Sequence, residues 1–387
     1  MTESLYRQTG ITINFYDSWS MYLVSSDVVF RCENYFSYTH EISASGGYVS
    51  ATVSIPMNAL DAEVWYDRGI GRRVKVFNHA GICIWNGFVN EISVTLGAST
   101  LHVGPLTNIA NLVGAKYSPV IDGQAGSEMD TTMVQDYNST SLYGKWEKWI
   151  SVGQAEEGVP EQVRDMFLAD MAYPDTSDEL SIYSANTPTV TLGCVGNLYW
   201  LMAYTYNNIS LSLDTLSNKL LLVLDADLNF VISHDYSYIE ENNYLVSMYE
   251  MSNRFAWDVI KELLSLGNGV DDTRMMFGVY EDGLVKYSRM PDVIEYYHYL
   301  GDRSRKITTK DNATVPPWEV VPGKWLQVPD FLLGTAMTSL HFMKDDKRNK
   351  FLESVRYTSP NGLDLSGRRN DKLSQMLAKI AYSGGML

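Results

Sequence analysis

Apolar and polar residues alternate along most of the first 117 residues, and this pattern predicts β-strands. Three segments are rich in β-branched and aromatic residues, which suit a half-buried sheet: GYVSATVSIP (47–56), GRRVKVFNHAGICIWNGFVNEISVTLG (71–97) and STLHVGPL (99–106). Asn78–Gly81 predicts a hairpin turn, and Asn86–Phe88 predicts a bulge or bend in the second arm. Strands at this spacing without intervening helices predict a small barrel or sandwich, to which GPLTNIANLVGAKYS (104–118) adds one short helix.

A helical period of apolar positions appears further along, in two segments. The first is AEEGVPEQVRDMFLADMAYP (155–174), where Pro174 bars continuation and the predicted buried face holds Val163, Met166, Phe167 and Met171. The second is MSNRFAWDVIKELLSLGNG (251–269), with Ser252 or Asn253 as the N-cap and Gly267 as the stop. Its predicted apolar face consists of Phe255, Val259, Ile260, Leu263 and Leu264.

The rest of the chain mixes strands with segments whose period is ambiguous. ELSIYS (179–184) and TPTVTLGCVG (187–196) predict strands, whereas LYWLMAYTYNN (198–208) suits a strand or a short buried helix, and SNKLLLVLDADLNFVIS (217–233) stays ambiguous. RMMFGVYEDGLVKYSR (274–289) predicts a hairpin that turns at Glu281–Gly283. Residues 316–370 are rich in strand-forming residues, proline and tryptophan, and 371–387 predict a short amphipathic helix.

These elements predict a mainly β fold with a few helices (β+α). We expect two small β-barrel or sandwich domains plus an inserted helix–hairpin unit. The predicted segments are 1–117 for the first barrel, 118–250 for a second β domain with a linker and helix, and 251–387 for the helix–hairpin unit and the C-terminal strands. A chain of 387 residues is longer than one hydrophobic core usually serves, which agrees with several domains.

Charge and targeting signals narrow the class of protein. The formal net charge of −16 argues against broad binding to nucleic acid or anionic membranes, because no excess of cations is present. No apolar run reaches the roughly 18 residues of a spanning helix, and no signal peptide is apparent at the N-terminus, so we expect folding in a cytoplasm. The three cysteines are far apart and predict small core residues rather than a disulfide framework or a zinc site.

The sequence contains no motif that is typical of a catalytic or metal-binding site. The six histidines are scattered without metal-ligand spacing, and the consecutive acidic pairs point their members apart. ISASGG (42–47) only superficially resembles a nucleophile elbow, and RGIGRR (68–73) is followed by a strand rather than by the helix that a phosphate site needs. Trp318 and Trp325 suit core packing better than a carbohydrate platform. We therefore expect no cofactor, no metal and no enzymatic activity, and instead a structural protein whose product is an interface.

The stretch DYNSTSLYGKWEKWIS (136–151) fits neither a catalytic loop nor ordinary core. It is interpreted as a polar linker, a turn at Gly144 and a strand whose aromatic residues hold it in place. We predict that it joins two β domains and lies near a subunit contact. The candidate interface or structural residues are Asp136, Tyr143, Gly144, Trp146, Glu147, Trp257 and Trp85.

Three motifs, in this order and spacing, resemble tail hub proteins of tailed bacteriophages. DYNSTSLYGKWE (136–147), followed by a helix with RDMFLADMAYP (164–174), resembles the family's linker and helix. The matching positions are Asp136, Ser139, Tyr143, Gly144, Glu147 and Pro174. RFAWDVIKELLSLGNG…FGVYEDGLVKY (254–287) resembles its helix and hairpin, and IWNGFVNEISV (84–94) resembles the hairpin of its first barrel.

The resemblance implies a ring-forming hub at the tail tip of a virion, with two related β-barrels in each chain. A homotrimer of such chains has pseudo-sixfold symmetry and binds the tail tube or distal tail protein on one side and spike or fibre proteins on the other. It lines the DNA exit channel, where the acidic charge predicts a lumen to which passing DNA does not stick. Two alternatives stay open: a hexameric distal tail ring protein or other tail-tip adaptor, and a carbohydrate-binding or hydrolytic tail protein.

Overall fold

The protein is described by a computed structural model that covers residues 11–17, 28–180, 186–208, 212–225, 233–247, 251–268, 274–300, 305–327, 349–359 and 362–368. Across these residues the chain is mainly β with a few α-helices, which confirms the predicted fold class. The helix predicted over 371–387 lies outside the described residues.

The strands of the first half are β1 (Thr12–Tyr16), β2 (Val28–Cys32), β3 (Ser37–Ser43), β4 (Gly47–Pro56), β5 (Arg73–Phe77), β6 (Cys83–Gly97), β7 (Ser99–Val103), β8 (Leu112–Ile121), β9 (Gln124–Ala125), β10 (Met129–Asp130), β11 (Val134–Gln135), β12 (Glu147–Ala155), β13 (Thr176–Leu180) and β14 (Asn186–Gly196). Those of the second half are β15 (Thr205–Asn208), β16 (Asp214–Thr215), β17 (Ser233–Ile239), β18 (Leu245–Val246), β19 (Met251–Phe255), β20 (Met275–Val279), β21 (Leu284–Arg289), β22 (Ile294–Leu300), β23 (Arg305–Thr308), β24 (Thr314–Val315), β25 (Trp325–Gln327), β26 (Asn349–Thr358) and β27 (Gly362–Arg368).

The α-helices are α1 (Ala59–Arg68), α2 (Tyr137–Tyr143), α3 (Val159–Met171), α4 (Trp200–Ala203), α5 (Leu216–Asp225) and α6 (Ala256–Ser265). Single 3-10 turns occur at Leu106–Asn108, Asn197–Tyr199, Glu281–Gly283 and Pro317–Glu319.

The body of the molecule is one curled sheet network. Its central strands pair in the order β2–β1–β5–β6–β14–β4–β3–β26, and every one of these pairings is antiparallel. Alternate side chains of β1, β3, β4 and β6 point to one side and form a core that α1 covers through Ala62 and Trp65. The pairing therefore reaches from the N-terminal strands to β26, across all three segments predicted from the sequence, and the division into domains stays a prediction.

The C-terminal strands extend this network around a smaller core. β26 pairs with β27 and β25, and β25 pairs with β22, which continues through β23 to β24. Their buried apolar side chains are Tyr296, Ile307, Val320, Leu326, Leu352 and Val355.

Residues 104–175 leave the body and return to it at the same place, and we call them the inserted lobe. The strands on either side of it, β7 and β13, pair antiparallel, and the Gly104 N–H donates to the Asp175 carbonyl at 3.0 Å. Within the inserted lobe, β8 pairs in parallel with β12 and antiparallel with β9, β10 and β11. Helix α3 packs on this sheet over a small core of Ala110, Val113, Leu168 and Ala172.

A helical unit also packs against the body. Helices α4, α5 and α6 and the hairpin of β20 and β21 share the largest core, which contains the buried Trp200, Leu220, Ile260 and Phe277. This hairpin is tied to the body by charge. Lys75 Nζ on β5 lies 2.7 Å from Asp282 Oδ2 and 3.3 Å from Glu281 Oε1 in the hairpin turn.

Both predicted hairpins are confirmed, because their turns are local features. β5 and β6 flank Asn78–Gly81, where the Asn78 side chain accepts hydrogen bonds from the Ala80 and Ile82 amides. β20 and β21 flank the Glu281–Gly283 turn, in which Asp282 and Gly283 have positive φ. Of the two ambiguous segments, 198–208 contains a 3-10 turn, α4 and β15, and the second contains α5.

Four predictions of local structure are wrong. Helix α1 interrupts the first strands, since Asn58 caps it through a hydrogen bond to the Asp61 amide. Leu112 and Val113 belong to β8 rather than to a helix. Residues 251–255 form β19, which pairs with β15, so α6 begins only at Ala256. No bulge occurs at Asn86–Phe88; the register there is regular, and Gly87 instead allows close approach to the Val195 carbonyl.

The first predicted helix exists as α3, and its predicted buried face is correct in part, because Phe167 and Met171 pack on the small core. Pro160, Arg164 and Leu168 are its buried residues, whereas Val163 and Met166, which were predicted to lie in the core, are 38% and 73% exposed.

Candidate functional site: the joint of the inserted lobe

The joint is defined by Asp136–Glu147 and the residues that these contact, and it begins with a capped helix. The predicted polar linker is instead α2, because the Asp136 carboxylate accepts from the Ser139 amide at 2.9 Å and so caps the first turn. The Gly144 amide closes the last turn by donating to Thr140 O at 2.9 Å. Gly144 has φ 79° and ψ −178°, a region open essentially to glycine alone, so the predicted turn at this residue does depend on glycine.

Asn111 is the centre of the hydrogen bonds at the joint, and the sequence analysis did not identify it. Its buried side chain donates to Gly144 O at 2.8 Å and to Ser139 Oγ at 3.1 Å, and it accepts from the Trp146 amide at 2.8 Å. The Ser139 hydroxyl in turn donates to the Ala172 carbonyl, just past the end of α3. One amide side chain thereby fixes α2, the turn and the start of β12 relative to one another.

Trp146 carries the joint into the body. Its side chain is 4% exposed, and its ring centroid lies 5.0 Å from that of Trp200 and 6.2 Å from that of Phe88. The ring centroids of Phe88 and Trp200 are also 5.0 Å apart. The three aromatic rings therefore form one cluster, in which Trp146 comes from the inserted lobe, Phe88 from β6 and Trp200 from α4. The indole N–H donates to Tyr143 O at 2.9 Å, which leaves the buried ring with no unsatisfied polar atom.

Glu147 makes a second connection, to the helical unit. Its Oε2 accepts from the Thr205 amide at 2.9 Å and also from the Thr205 hydroxyl, at the first residue of β15. Hydrogen bonds to a charged acceptor are stronger than neutral ones, so this contact fixes the orientation of β12 against β15.

Tyr143 lies at the edge of the joint. It packs edge-on against Tyr173 with ring centroids 6.5 Å apart, and the Tyr173 hydroxyl donates to Asp136 Oδ1 at 3.4 Å. Partial burial raises the pKa of Tyr143 above its ordinary value, with a smaller contribution from Tyr173. The phenol therefore stays neutral at physiological pH and serves as a packing group.

The remaining two candidate residues lie away from the joint. Trp257, on α6, packs against Phe277 with centroids 5.8 Å apart and belongs to the same core cluster as Trp146. Trp85, on β6, is fully buried in the body core beside Tyr48. The structure thus brings five of the seven candidates together. The three tryptophans are buried within the chain, and a role for any of the seven at a subunit contact stays a prediction.

A cleft of about 420 Å³ opens beside the joint. Trp146, Glu147 and Lys148 form one wall of it, and Tyr199, Met202 and Phe255 line the opposite side. Its walls are mostly apolar and aromatic, so the cleft offers packing surface rather than a set of converging reactive groups.

Metal ligands and thiols are the remaining candidates for chemistry in the described ranges. No cluster of three or more His, Cys, Asp or Glu side chains that could hold a metal occurs among them. Burial raises the pKa of Cys32 and of Cys83 to about 12 each, and that of Cys194 also rises, so these thiols stay protonated. Within the same residues, no helix has the length and apolar character needed to cross a membrane.

Comparison with known proteins gives distant structural likeness only. No family model matches the sequence, and no curated protein sequence matches it. The 43 kDa tail protein of prophage MuSo2 from Shewanella oneidensis aligns over 95% of this chain and 98% of its own, with a TM-score of 0.46 and 8% identity. A tail protein from Neisseria meningitidis MC58 aligns over the same shares with a TM-score of 0.41 and 8% identity. At these scores neither likeness establishes a common fold or a function.

Proposed function

We propose that this chain is a structural component of a phage tail tip or baseplate. In this proposal it forms a homotrimeric ring that joins the tail tube or distal tail protein to the central spike or fibres. The ring lines the DNA exit channel, and the acidic surface keeps the passing DNA from adhering. The chain acts through interfaces rather than through catalysis, and its place is in the virion.

The observation that carries the proposal is that the three motifs of the sequence resemblance, far apart in the chain, meet in space. Phe88 of the IWNGFVNEISV motif stacks in the cluster with Trp146 of the DYNSTSLYGKWE motif. Asn86 of the same first motif accepts from the Asp282 amide, in the turn of the third motif, at 3.2 Å. The three motifs that resemble tail hub proteins therefore also contact one another. This supports the proposal that they form the structural framework that the resemblance implies.

This framework suits a ring subunit. A closed ring needs head-to-tail contacts between two different surfaces of each chain, and those surfaces must be held at a fixed angle. Three contacts hold the inserted lobe, the helical unit and the body together. They are the packing of the Trp146 indole on Trp200, the hydrogen bonds that Glu147 accepts from Thr205, and the Lys75–Asp282 ion pair. In the proposal, the joint sets the angle at which neighbouring subunits meet, and its outer edge at Tyr143 lies near a subunit contact.

The stoichiometry of the assembled particle tests the proposal. Image reconstruction of the intact particle is expected to show three copies of this chain in one ring at the tail tip; six copies would support the distal tail ring protein instead. In purified protein, Tyr143→Ala and Trp146→Ala are expected to reduce ring assembly, as measured by mass photometry, relative to the exposed control Leu60→Ala. Ring assembly that is unchanged in both variants, or peptidoglycan release that a single carboxylate substitution abolishes, would overturn the proposal.

A further inference from the structure

The outward face of α3 carries an apolar line that nothing in the described chain covers. Val159, Val163 and Met166 follow one another at spacings of four and three residues, and Tyr173 continues the line just past the helix end. Their side chains are 40%, 38%, 73% and 43% exposed, in that order. Spacings of four and three place side chains on one side of a helix, so Val159, Val163 and Met166 form an apolar strip, and Asp170 occupies the next position of the series, before Tyr173.

The strip belongs to a wider concentration of exposed apolar surface on the inserted lobe. Tyr137 and Leu142 on α2 are 78% and 57% exposed. Tyr137 directly follows Asp136, which accepts a hydrogen bond from the Tyr173 hydroxyl. Single exposed apolar residues are ordinary on a protein surface, but a contiguous patch marks an interaction site.

Charge around the strip is one-sided. The inserted lobe holds four Lys and Arg residues against eleven Asp and Glu, a net charge of −7. Asp165 is exposed beside the strip, and Asp170 is exposed at its C-terminal end. Arg164, the one cation of α3, is turned inward, where its guanidinium donates to Thr132 O and pairs with Asp165. The outward face of α3 is therefore apolar from Val159 to Met166 and carries carboxylates at one side and at its C-terminal end.

We propose that this face of α3 binds a basic, amphipathic helix of a partner protein. The four-three spacing is that of a seam between two packed helices, and α3, at 13 residues and roughly 1.5 Å per residue, offers about 20 Å of seam. Lysine or arginine residues that flank the apolar side of the partner helix meet Asp165 and Asp170. This site adjoins the subunit contact proposed above, because Tyr143 packs edge-on against Tyr173, but binding of a helix here does not require a ring to form.

A second copy of the chain fits this face poorly. Another exposed apolar helix face among the described residues is on α1, at Leu60 and Val64, and it is flanked by Asp61, Glu63 and Asp67. Pairing α3 with α1 or α3 of another copy would place acid against acid, which is unfavourable. Charge complementarity thus selects a basic partner.

The test uses three labelled synthetic helices and the full chain, with fluorescence anisotropy as the readout. The first helix has leucines at the a and d positions and lysines beside them. The second has the same composition with the leucines scrambled off the seam, and the third has glutamates in place of the lysines. The first is expected to bind, and the other two are expected to bind at least about tenfold more weakly, the ratio that corresponds to ~1.4 kcal/mol.

Variants of the chain locate the site. Met166→Ser is expected to weaken the first helix about tenfold or more, and Asp165→Asn with Asp170→Asn to weaken it and to flatten its salt dependence. Leu60→Ser is the matched control, because it removes an equally exposed leucine from α1, and it is expected to leave binding unchanged. Met166 is exposed, so an unchanged midpoint of thermal unfolding is expected and shows that the variant is folded.

Three outcomes would overturn the proposal: equal binding of the scrambled helix, which indicates charge attraction alone; binding that Met166→Ser leaves intact; and self-association of the chain that Met166→Ser abolishes. Mass photometry of the same variant separates this proposal from that of the ring. Met166→Ser is expected to lose binding of the first synthetic helix and to keep the number of chains in the ring. If the wild-type chain forms no ring, the proposed function fails, but the result of the helix-binding test still holds.

Discussion

Replacing Trp146 by alanine is expected to loosen the inserted lobe from the body. The indole is 4% exposed and stacks on Trp200 and Phe88, so the substitution removes nearly a full aromatic side chain from a packed site. Large aromatic-to-alanine changes in cores cost about 3–5 kcal/mol, and the lost bond from the indole N–H to Tyr143 O accounts for about 1 kcal/mol of this.

The cost is expected to fall on the docking of the inserted lobe, because Trp146 lies outside the small core under α3. Native-state hydrogen exchange of the β8 and β12 amides measures the free energy of local opening. We expect this free energy to fall by about 3–5 kcal/mol in Trp146→Ala, up to the whole opening free energy of the inserted lobe, while amides of β4 and β14 change less.

Two control variants separate packing from hydrogen bonding. Trp146→Phe keeps an aromatic ring beside Trp200 and loses the N–H, so a smaller decrease than in Trp146→Ala is expected. Tyr137→Ala removes a side chain that is 78% exposed and is expected to change the opening free energy by less than about 0.5 kcal/mol. A decrease of under ~1 kcal/mol in Trp146→Ala would show that the three-ring cluster does not hold the inserted lobe, and the reasoning would fail.

Three further predictions concern single interactions. Glu147→Gln removes the charge from the acceptor of two Thr205 hydrogen bonds and is expected to cost about 1 kcal/mol in urea unfolding; a double-mutant cycle with Thr205→Ala that shows no coupling would contradict this. Gly144→Ala is expected to cost about 1–3 kcal/mol, because φ 79° with ψ −178° strains any other residue, and equal melting temperatures would refute it. Burial lowers the pKa of His40 from 6.5 to about 3, so the neutral ring stabilises the fold fully above pH 6.5, and that stability is lost as the pH falls toward 3. The loss amounts to at most about 1.4 kcal/mol per pH unit, and urea midpoints between pH 7 and pH 4 should depend less on pH in His40→Phe.

Local turn chemistry was the part of the fold that the sequence predicted well. The Asn78–Gly81 and Glu281–Gly283 turns are defined by residues that adjoin each other, so no distant strand is needed to place them. The mainly β class followed from alternation alone. Long-range pairing was beyond the pattern: β26 joins β3 from more than three hundred residues away, and β19 took residues 251–255 from a predicted helix because β15 offered them a partner.

The candidate site was predicted in part, for similar reasons. Gly144 and Trp146 were identified because each residue type has a preference that can be recognised in a sequence. Glycine favours turns that other residues cannot adopt, and tryptophan favours packed sites. Asn111 was missed, since a single asparagine before a strand is ordinary and its three partners come from α2, the turn and Trp146. The apolar residues of α3 gave the correct period and half of the buried face, since Phe167 and Met171 pack on the core and Val163 and Met166 do not, and periodicity cannot say which side another element will cover.

The paired strands beneath the inserted lobe have an evolutionary consequence. Because β7 and β13 are hydrogen-bonded and Gly104 meets Asp175 directly, the segment between them can lengthen, shorten or be exchanged without moving either end. One constraint limits such an exchange. Trp146 covers Trp200 and Phe88, so a replacement segment must place an aromatic residue of its own over these two rings. The segment can thus differ in length and sequence between relatives while the sheet behind it stays the same.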